Sequence, residues 1–169
     1  MNHLNFNMLL AQTGDDELGY CYDAPIHYVV LNRKDNTWDT PRVDRYIALL
    51  DEIESHKGPG VMVTLGTGRK HFSSGFDLPY WAESCDNMIN CLERFQELMA
   101  RLLEFSMPTM CVYTGNAMAG GYIFGLCHDF RIMNNDVGTI CLSELKLGLS
   151  IFLPFMKVIS SKLPSSVVT

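Results

Sequence analysis

Residues Val61 to Leu78 read VMVTLGTGRKHFSSGFDL, and the class of fold turns on them. Val61 to Leu65 offer no charged face, as a strand covered on both sides requires. From Gly66 to Gly75 the chain is punctuated by glycine and carries Arg69, Lys70 and His71, so the strand runs into a loop. Upstream, His27 to Leu31 (HYVVL) is a second buried strand, closed by turn residues from Asn32 to Asn36. Between the two strands Thr40-Pro41 reads as an N-cap followed by proline at the first helical position, and Val43, Ile47, Leu50 and Ile53 share one apolar face. That helix stops at Gly58-Pro59. Strand, helix and strand joined by short connections favour a right-handed crossover and a parallel pair.

Downstream, Met88, Leu92, Phe95, Met99 and Leu102 mark a long amphipathic helix ending near Phe105. Met110 to Tyr113 is a third strand. Gly115 to Gly121 is a second glycine-rich turn, leading into an almost wholly apolar short helix, Tyr122 to Cys127, which has no polar face and must be buried. Phe130 to Met133 and Thr139 to Leu142 are two more short strands, and Leu145 to Phe155 is apolar, with Gly148 and Pro154 inside it. There are no internal repeats or linker-like stretches. The pattern is α/β, with two glycine-rich loops each following a buried strand; ligands usually bind at the carboxyl ends of parallel strands.

The chain has 169 residues, 47% of them apolar and 19% charged, which fits one domain with a sizeable core. Its 13 Lys and Arg against 19 Asp and Glu give a formal charge of -6, which argues against nucleic acid or an anionic membrane as the main partner. No apolar run reaches the ~18 residues of a membrane span. Met1 to Gly14 carry no Lys or Arg, so neither a secretory n-region nor an Arg-rich transit peptide is legible. Cys21, Cys85, Cys91, Cys111, Cys127 and Cys141 sit singly in apolar runs without C-x-x-C spacing and are expected to be reduced core residues. His27, His56, His71 and His128 lack metal-ligand spacing, and no metal is expected.

Several constellations invite chemistry. Gly66-Thr67-Gly68-Arg69-Lys70 fits neither G-x-G-x-x-G nor G-x-x-x-x-G-K-[ST], so a phosphate cradle is not expected there. His71, Ser73 and Asp77 have the residue types of a hydrolytic triad, but they fall within seven positions of one loop, where an aligned relay is geometrically improbable. Asp129 lies between the buried helix and a strand, where a carboxylate more often caps backbone amides than performs chemistry. His128 reads the same way. Glu144 differs: it is a lone carboxylate among Ile140, Cys141, Leu142, Leu145, Leu147 and Leu149. Burial without a partner raises a carboxyl pKa toward neutrality, which suits a general base or acid, although paired buried carboxylates also exist.

These segments resemble the crotonase (enoyl-CoA hydratase and isomerase) superfamily. Lys70-His71-Phe72-Ser73-Ser74-Gly75-Phe76-Asp77-Leu78 is similar to that family's first oxyanion-hole loop. Pro108-Thr109 through Gly115-Asn116-Ala117-Met118-Ala119-Gly120-Gly121 is similar to the second, and His128-Asp129-Phe130-Arg131-Ile132 to the piece that follows. FSSGFDL with Trp81-Ala82, then MPT, HDF and Ser143-Glu144 before Gly148-Leu149, resembles most the plant-type Δ3-Δ2-enoyl-CoA isomerases. Hydratases of the family carry a second glutamate, and Ile123 stands at that position here.

The resemblance implies a crotonase-like ββα spiral core lacking most of the C-terminal helical segment. It implies one domain over 1–169, with an N-terminal extension and first strands over 1–24, the core over 25–150 and a shortened C-terminal helix over 151–169. The implied activity moves a double bond from the 3- to the 2-position of a fatty acyl-CoA, as in β-oxidation. Glu144 would shuttle the proton, and the backbone N–H groups of Phe76 and Gly120 would hold the thioester oxygen, which requires them within about 6 Å of each other. Ser74, Gly75, Asp77, Leu78, Gly121 and Lys70 are the implied CoA and substrate contacts. No cofactor is expected, because the coenzyme A thioester is part of the substrate. The alternative function is a catalytically impaired structural subunit of a larger assembly, and hydratase activity is disfavoured by Ile123. Other chains, either copies of this one or subunits of a larger complex, are expected to cover the apolar Leu145 to Phe155 segment. The expected compartment is the mitochondrion, with the peroxisome as alternative, and Val167-Val168-Thr169 is not an S-K-L signal.

Overall fold

The computed structural model of the chain describes residues 17–68, 70–144, 148 and 150–168. β1 (Leu18–Asp23) and β2 (Ile26–Leu31) form an antiparallel hairpin through Ala24 and cis Pro25, with Leu18 opposite Leu31. Helix α1 (Thr40–Ser55) then returns the chain to β3 (Val61–Gly66), which pairs parallel to β2 with Val61 opposite Ile26. β5 (Thr109–Tyr113) and β7 (Phe130–Met133) extend the sheet in parallel, giving the order β1-β2-β3-β5-β7.

A second sheet is made of three very short strands, β4 (His71–Ser73), β6 (Asn116–Met118) and β8 (Ile140–Cys141), all parallel in the order β4-β6-β8. Each follows directly on a strand of the large sheet: β4 on β3, β6 on β5, β8 on β7. Helices α2 (Leu78–Glu83) and α3 (Cys85–Leu103) follow β4, and α4 (Gly120–Leu126) follows β6. The chain thus winds as a ββα spiral. Helices α5 (Leu153–Lys162) and α6 (Ser165–Val168) end the described residues.

Leu31, Tyr46, Leu50, Met62, Phe95 and Leu98 are fully buried between the large sheet and helices α1 and α3. Every residue of α4 is buried, as its lack of a polar face demands. Phe124 of α4 lies 4.7 Å from Trp38 and 5.2 Å from Tyr46, ring centre to ring centre. A buried polar chain ties α4 to its neighbours. His128 Nδ1 faces the Phe124 carbonyl at 3.2 Å and must donate to it, so Nε2 accepts from the Thr64 hydroxyl at 3.1 Å, which accepts from Tyr46 O–H at 2.5 Å. Asp129 holds β5 through Thr109 N and Oγ1, both at 2.9 Å. Both residues are structural, as expected.

Four expectations need correction. The N-cap of α1 is Asp39, whose Oδ1 accepts from Arg42 N at 2.9 Å, and Thr40 is already helical. A carboxylate satisfies the first-turn amides at least as well as a hydroxyl. The helix ends at Ser55, before Gly58, because His56 turns extended and its ring packs edge-on against Tyr22 and His27, each at 5.0 Å. The two glycine loops are not wholly irregular, since each contains a strand of the small sheet. Of the six free cysteines only Cys91, Cys111 and Cys127 are buried; Cys85 is exposed at the start of α3.

Candidate active site

Because β4, β6 and β8 lie side by side and parallel, the turns that leave them emerge at one edge of the small sheet. The first turn holds Gly75 and Phe76. Gly75 has φ +94°, a region open to glycine at no steric cost. Trp38 N donates to Gly75 O and Asp77 N donates to Trp38 O, both at 2.9 Å, a parallel bridge centred on Phe76. In that pattern the flanking residues take both bonds, so the Phe76 N–H is directed to the opposite side.

The second turn holds Ala119 and Gly120. Ala119 N donates to Cys141 O at 2.8 Å, and Ala119 O accepts from Tyr122 N at 3.0 Å and Ile123 N at 3.1 Å. Gly120 is therefore the first residue of α4, and its N–H has no acceptor within the helix. Ala119 has φ +47° and ψ −124°, a strained conformation for a residue with a Cβ. The two turns touch: a Cβ on Gly75 would lie 3.1 Å from Ala119 Cβ and 3.4 Å from Gly120 N.

The third turn holds Ser143 and Glu144. A cavity of about 310 Å³ is lined by Glu144 together with Phe76 and Ala119, one residue from each turn. Glu144 Oε2 is shielded from solvent and has no hydrogen-bond partner among the described residues. Burial pushes its carboxyl pKa up, and its own backbone N–H offsets part of that. A carboxyl so held can exchange a proton with a carbon acid bound beside it.

The other expected contacts are distributed differently. Leu78 lines the same cavity. The Asp77 carboxylate caps α2 through Tyr80 N at 3.1 Å and accepts from Thr37 Oγ1 at 3.0 Å. Ser74 Oγ donates to Asp35 O at 3.0 Å. Gly121 packs against β4, where a Cβ would come within 2.6 Å of Ser73. Lys70 is exposed, and Arg69 lies outside the described residues. Ile123 is fully buried in the core. His71, Ser73 and Asp77 form no relay, since Ser73 Oγ donates to Asn36 O at 2.7 Å. Among the described residues no group of three His, Cys, Asp or Glu could hold a metal ion. Ala119, Trp81 and Met88 line the cavity without having been expected there. The spacing of Leu78 and Trp81 after a helix-capping Asp77 was the available signal for Trp81.

The architecture is that of the crotonase fold. It superposes on the apo structure of a Mycobacterium tuberculosis enoyl-CoA isomerase with a TM-score of 0.82 at 23% identity, over 94% of this chain and 67% of that one. It superposes on an enoyl-CoA hydratase/isomerase (crotonase) of Legionella pneumophila with a TM-score of 0.80 at 23% identity, over 89% of this chain and 60% of that one. The sequence model of the enoyl-CoA hydratase/isomerase family matches residues 22–167, and the chain belongs to that family. It is 35% identical over 127 residues to enoyl-CoA delta isomerase 3 of Arabidopsis thaliana, covering 72% of this chain and 52% of the relative. It is 33% identical over 128 residues to the Arabidopsis enoyl-CoA delta isomerase 2, peroxisomal, covering 71% and 52%. The chain thus spans about half the length of the curated relatives it matches.

Proposed function

We propose that the chain moves the double bond of an acyl-CoA thioester from the 3- to the 2-position, with Glu144 as the single base. The observation that carries this reading is the Glu144 carboxyl, whose shielded Oε2 has no hydrogen-bond partner among the described residues, sharing one cavity with the Phe76 and Ala119 turns. Glu144 takes the proton from the α-carbon, and the electrons of that C–H bond pass into the thioester carbonyl to give a dienolate. The Phe76 and Gly120 N–H groups hold the oxygen as its charge grows, each worth about 3 kcal/mol. Glu144 then returns the proton to the γ-carbon, leaving the double bond conjugated. The acyl-CoA is the only reactant the step needs.

Ile123 favours isomerisation over hydration, because a buried apolar side chain there offers no second carboxyl to activate water. The exposed Lys70 is a candidate for the CoA phosphates, while Ser74, Gly75, Asp77 and Gly121 serve the site by fixing its turns. Two Arabidopsis relatives, enoyl-CoA delta isomerases 1 and 2, are named as peroxisomal, so we favour that compartment over the mitochondrion.

A second reading, a subunit of a larger assembly, draws on the apolar side chains left uncovered. Phe130 and Ile132 on edge strand β7 are 58% and 51% exposed, and Leu153 at the start of α5 is 68% exposed. Phe155, by contrast, packs inward; Leu145 to Leu147 and Leu149 lie outside the described residues. Incubating the purified chain with a 3-enoyl-CoA and following the absorbance of the conjugated thioester tests the first reading. Light scattering on the same sample tests the second, which requires a particle larger than one chain.

A further inference from the structure

The walls of the cavity beside Glu144 select among acyl chains, an inference that rests on the acyl-CoA reading above. Away from Ser143, Glu144 and Ser150 the lining is apolar: Leu78 and Trp81 from α2, Met88 from α3, and Ile151, Phe152 and Phe155 from the approach to α5 and its first turn. Leu78 and Trp81 are three residues apart on one face of a helix whose start is pinned by Asp77. The Trp81 ring lies on the Phe76 ring, 4.6 Å between centroids and 28° between planes. Phe76 cannot retreat from it. Phe95 meets its ring edge-on at 4.8 Å, Phe155 stacks at 6.0 Å, and the ring fills the space that a Cβ on Gly120 would need. An indole backed in this way is a rigid wall. At about 310 Å³ the cavity has room for on the order of ten groups the size of a water molecule, each ~30 Å³ in a liquid, and a methylene is of similar size.

We infer that Trp81 limits acyl-chain length, and that the site takes unbranched apolar chains of up to about ten carbons and rejects longer ones. Trp81→Ala opens the wall and moves the limit to longer chains. Met88→Trp fills the same cavity and moves it to shorter ones. A residue with a merely structural role would shift all lengths alike.

The test titrates the full chain with saturated acyl-CoAs of about four to about sixteen carbons by calorimetry, then assays 3-enoyl-CoAs of the same lengths. Affinity is expected to rise about fourfold per added methylene up to the limit. Beyond it, affinity falls at least tenfold, and the two variants move the break in opposite directions. A steady rise to the longest chain, a break that neither variant moves, or no binding at any length overturns the inference. Binding with the break but without turnover leaves the inference standing and overturns the isomerase reading; turnover at every length without a break does the reverse.

Discussion

The ring of Phe76 occupies the place of a side chain at Gly120: a Cβ there would come within 2.9 Å of Phe76 Cε2. The two residues whose amides are proposed to share one oxygen thus also set each other's position through packing. Gly120→Ala forces apart rings that Trp81, Phe95 and Phe155 already confine. The expected cost is about 1–3 kcal/mol of stability, as for other overpacked sites. Thermal unfolding checks this cost, and because the same substitution displaces the Phe76 and Gly120 amides, turnover is expected to fall by more than the loss of folded protein. An alanine variant as stable and active as the parent would mean that Phe76 moves freely.

Ala119 holds φ +47° and ψ −124° at the turn into α4, a conformation suited to glycine. Such strain costs on the order of 1–3 kcal/mol, and glycine gives back about 1 kcal/mol through the freedom it adds to the unfolded chain. Ala119→Gly is therefore expected to raise stability slightly, by roughly 1 kcal/mol. A urea midpoint below that of the parent would contradict the strain.

Two buried histidines make stability depend on pH. Burial pushes the His128 pKa down to about 4, opposed only in part by its bond to the Phe124 carbonyl. Burial, and then the neighbouring His56, lowers that of His27. Both folded values lie below the ordinary value of 6.5, so the unfolded chain binds more protons and stability falls as pH drops below that value. At about 1.4 kcal/mol per pH unit, His128 alone removes about 2 kcal/mol between pH 7.5 and pH 5. Urea unfolding at the two pH values checks the slope, and His128→Gln should flatten it. Stability that is level or higher at pH 5 would contradict the burial of these rings as neutral groups.

In the large sheet β2, β3, β5 and β7 were legible, most clearly where a β-branched apolar run such as Val61 to Leu65 carries its own signal, whereas β1 was not read from its residues. β4 and β6 were not legible, because elements of three residues are too short for any period to show, and β8 is shorter than the Thr139 to Leu142 strand expected around it. Glu144 stood out as one charge in an apolar run, and the structure half-buries it beside the cavity. The walls of that cavity were hidden for a different reason. Trp81, Met88 and Phe155 sit on three helices and meet only through tertiary packing, so no local pattern in the chain links them. The α1 cap lies at Asp39, adjacent to the expected Thr40; one carboxylate oxygen of Asp39 accepts from Arg42 N and the other from Arg33 Nη1 at 2.6 Å.

The most direct measurement compares the parent and Glu144→Gln chains in converting a 3-enoyl-CoA to the conjugated 2-enoyl-CoA across pH. The amide keeps the shape but cannot accept the proton, so turnover is expected to fall by about 100-fold or more with unfolding unchanged. In the parent, the base must be ionised and burial raises its pKa, so activity is expected to decline on acidification from above the ordinary value of 4.5. A parent chain that turns over nothing, or a glutamine variant that keeps the parent's rate, would contradict the assignment of the chemistry to Glu144.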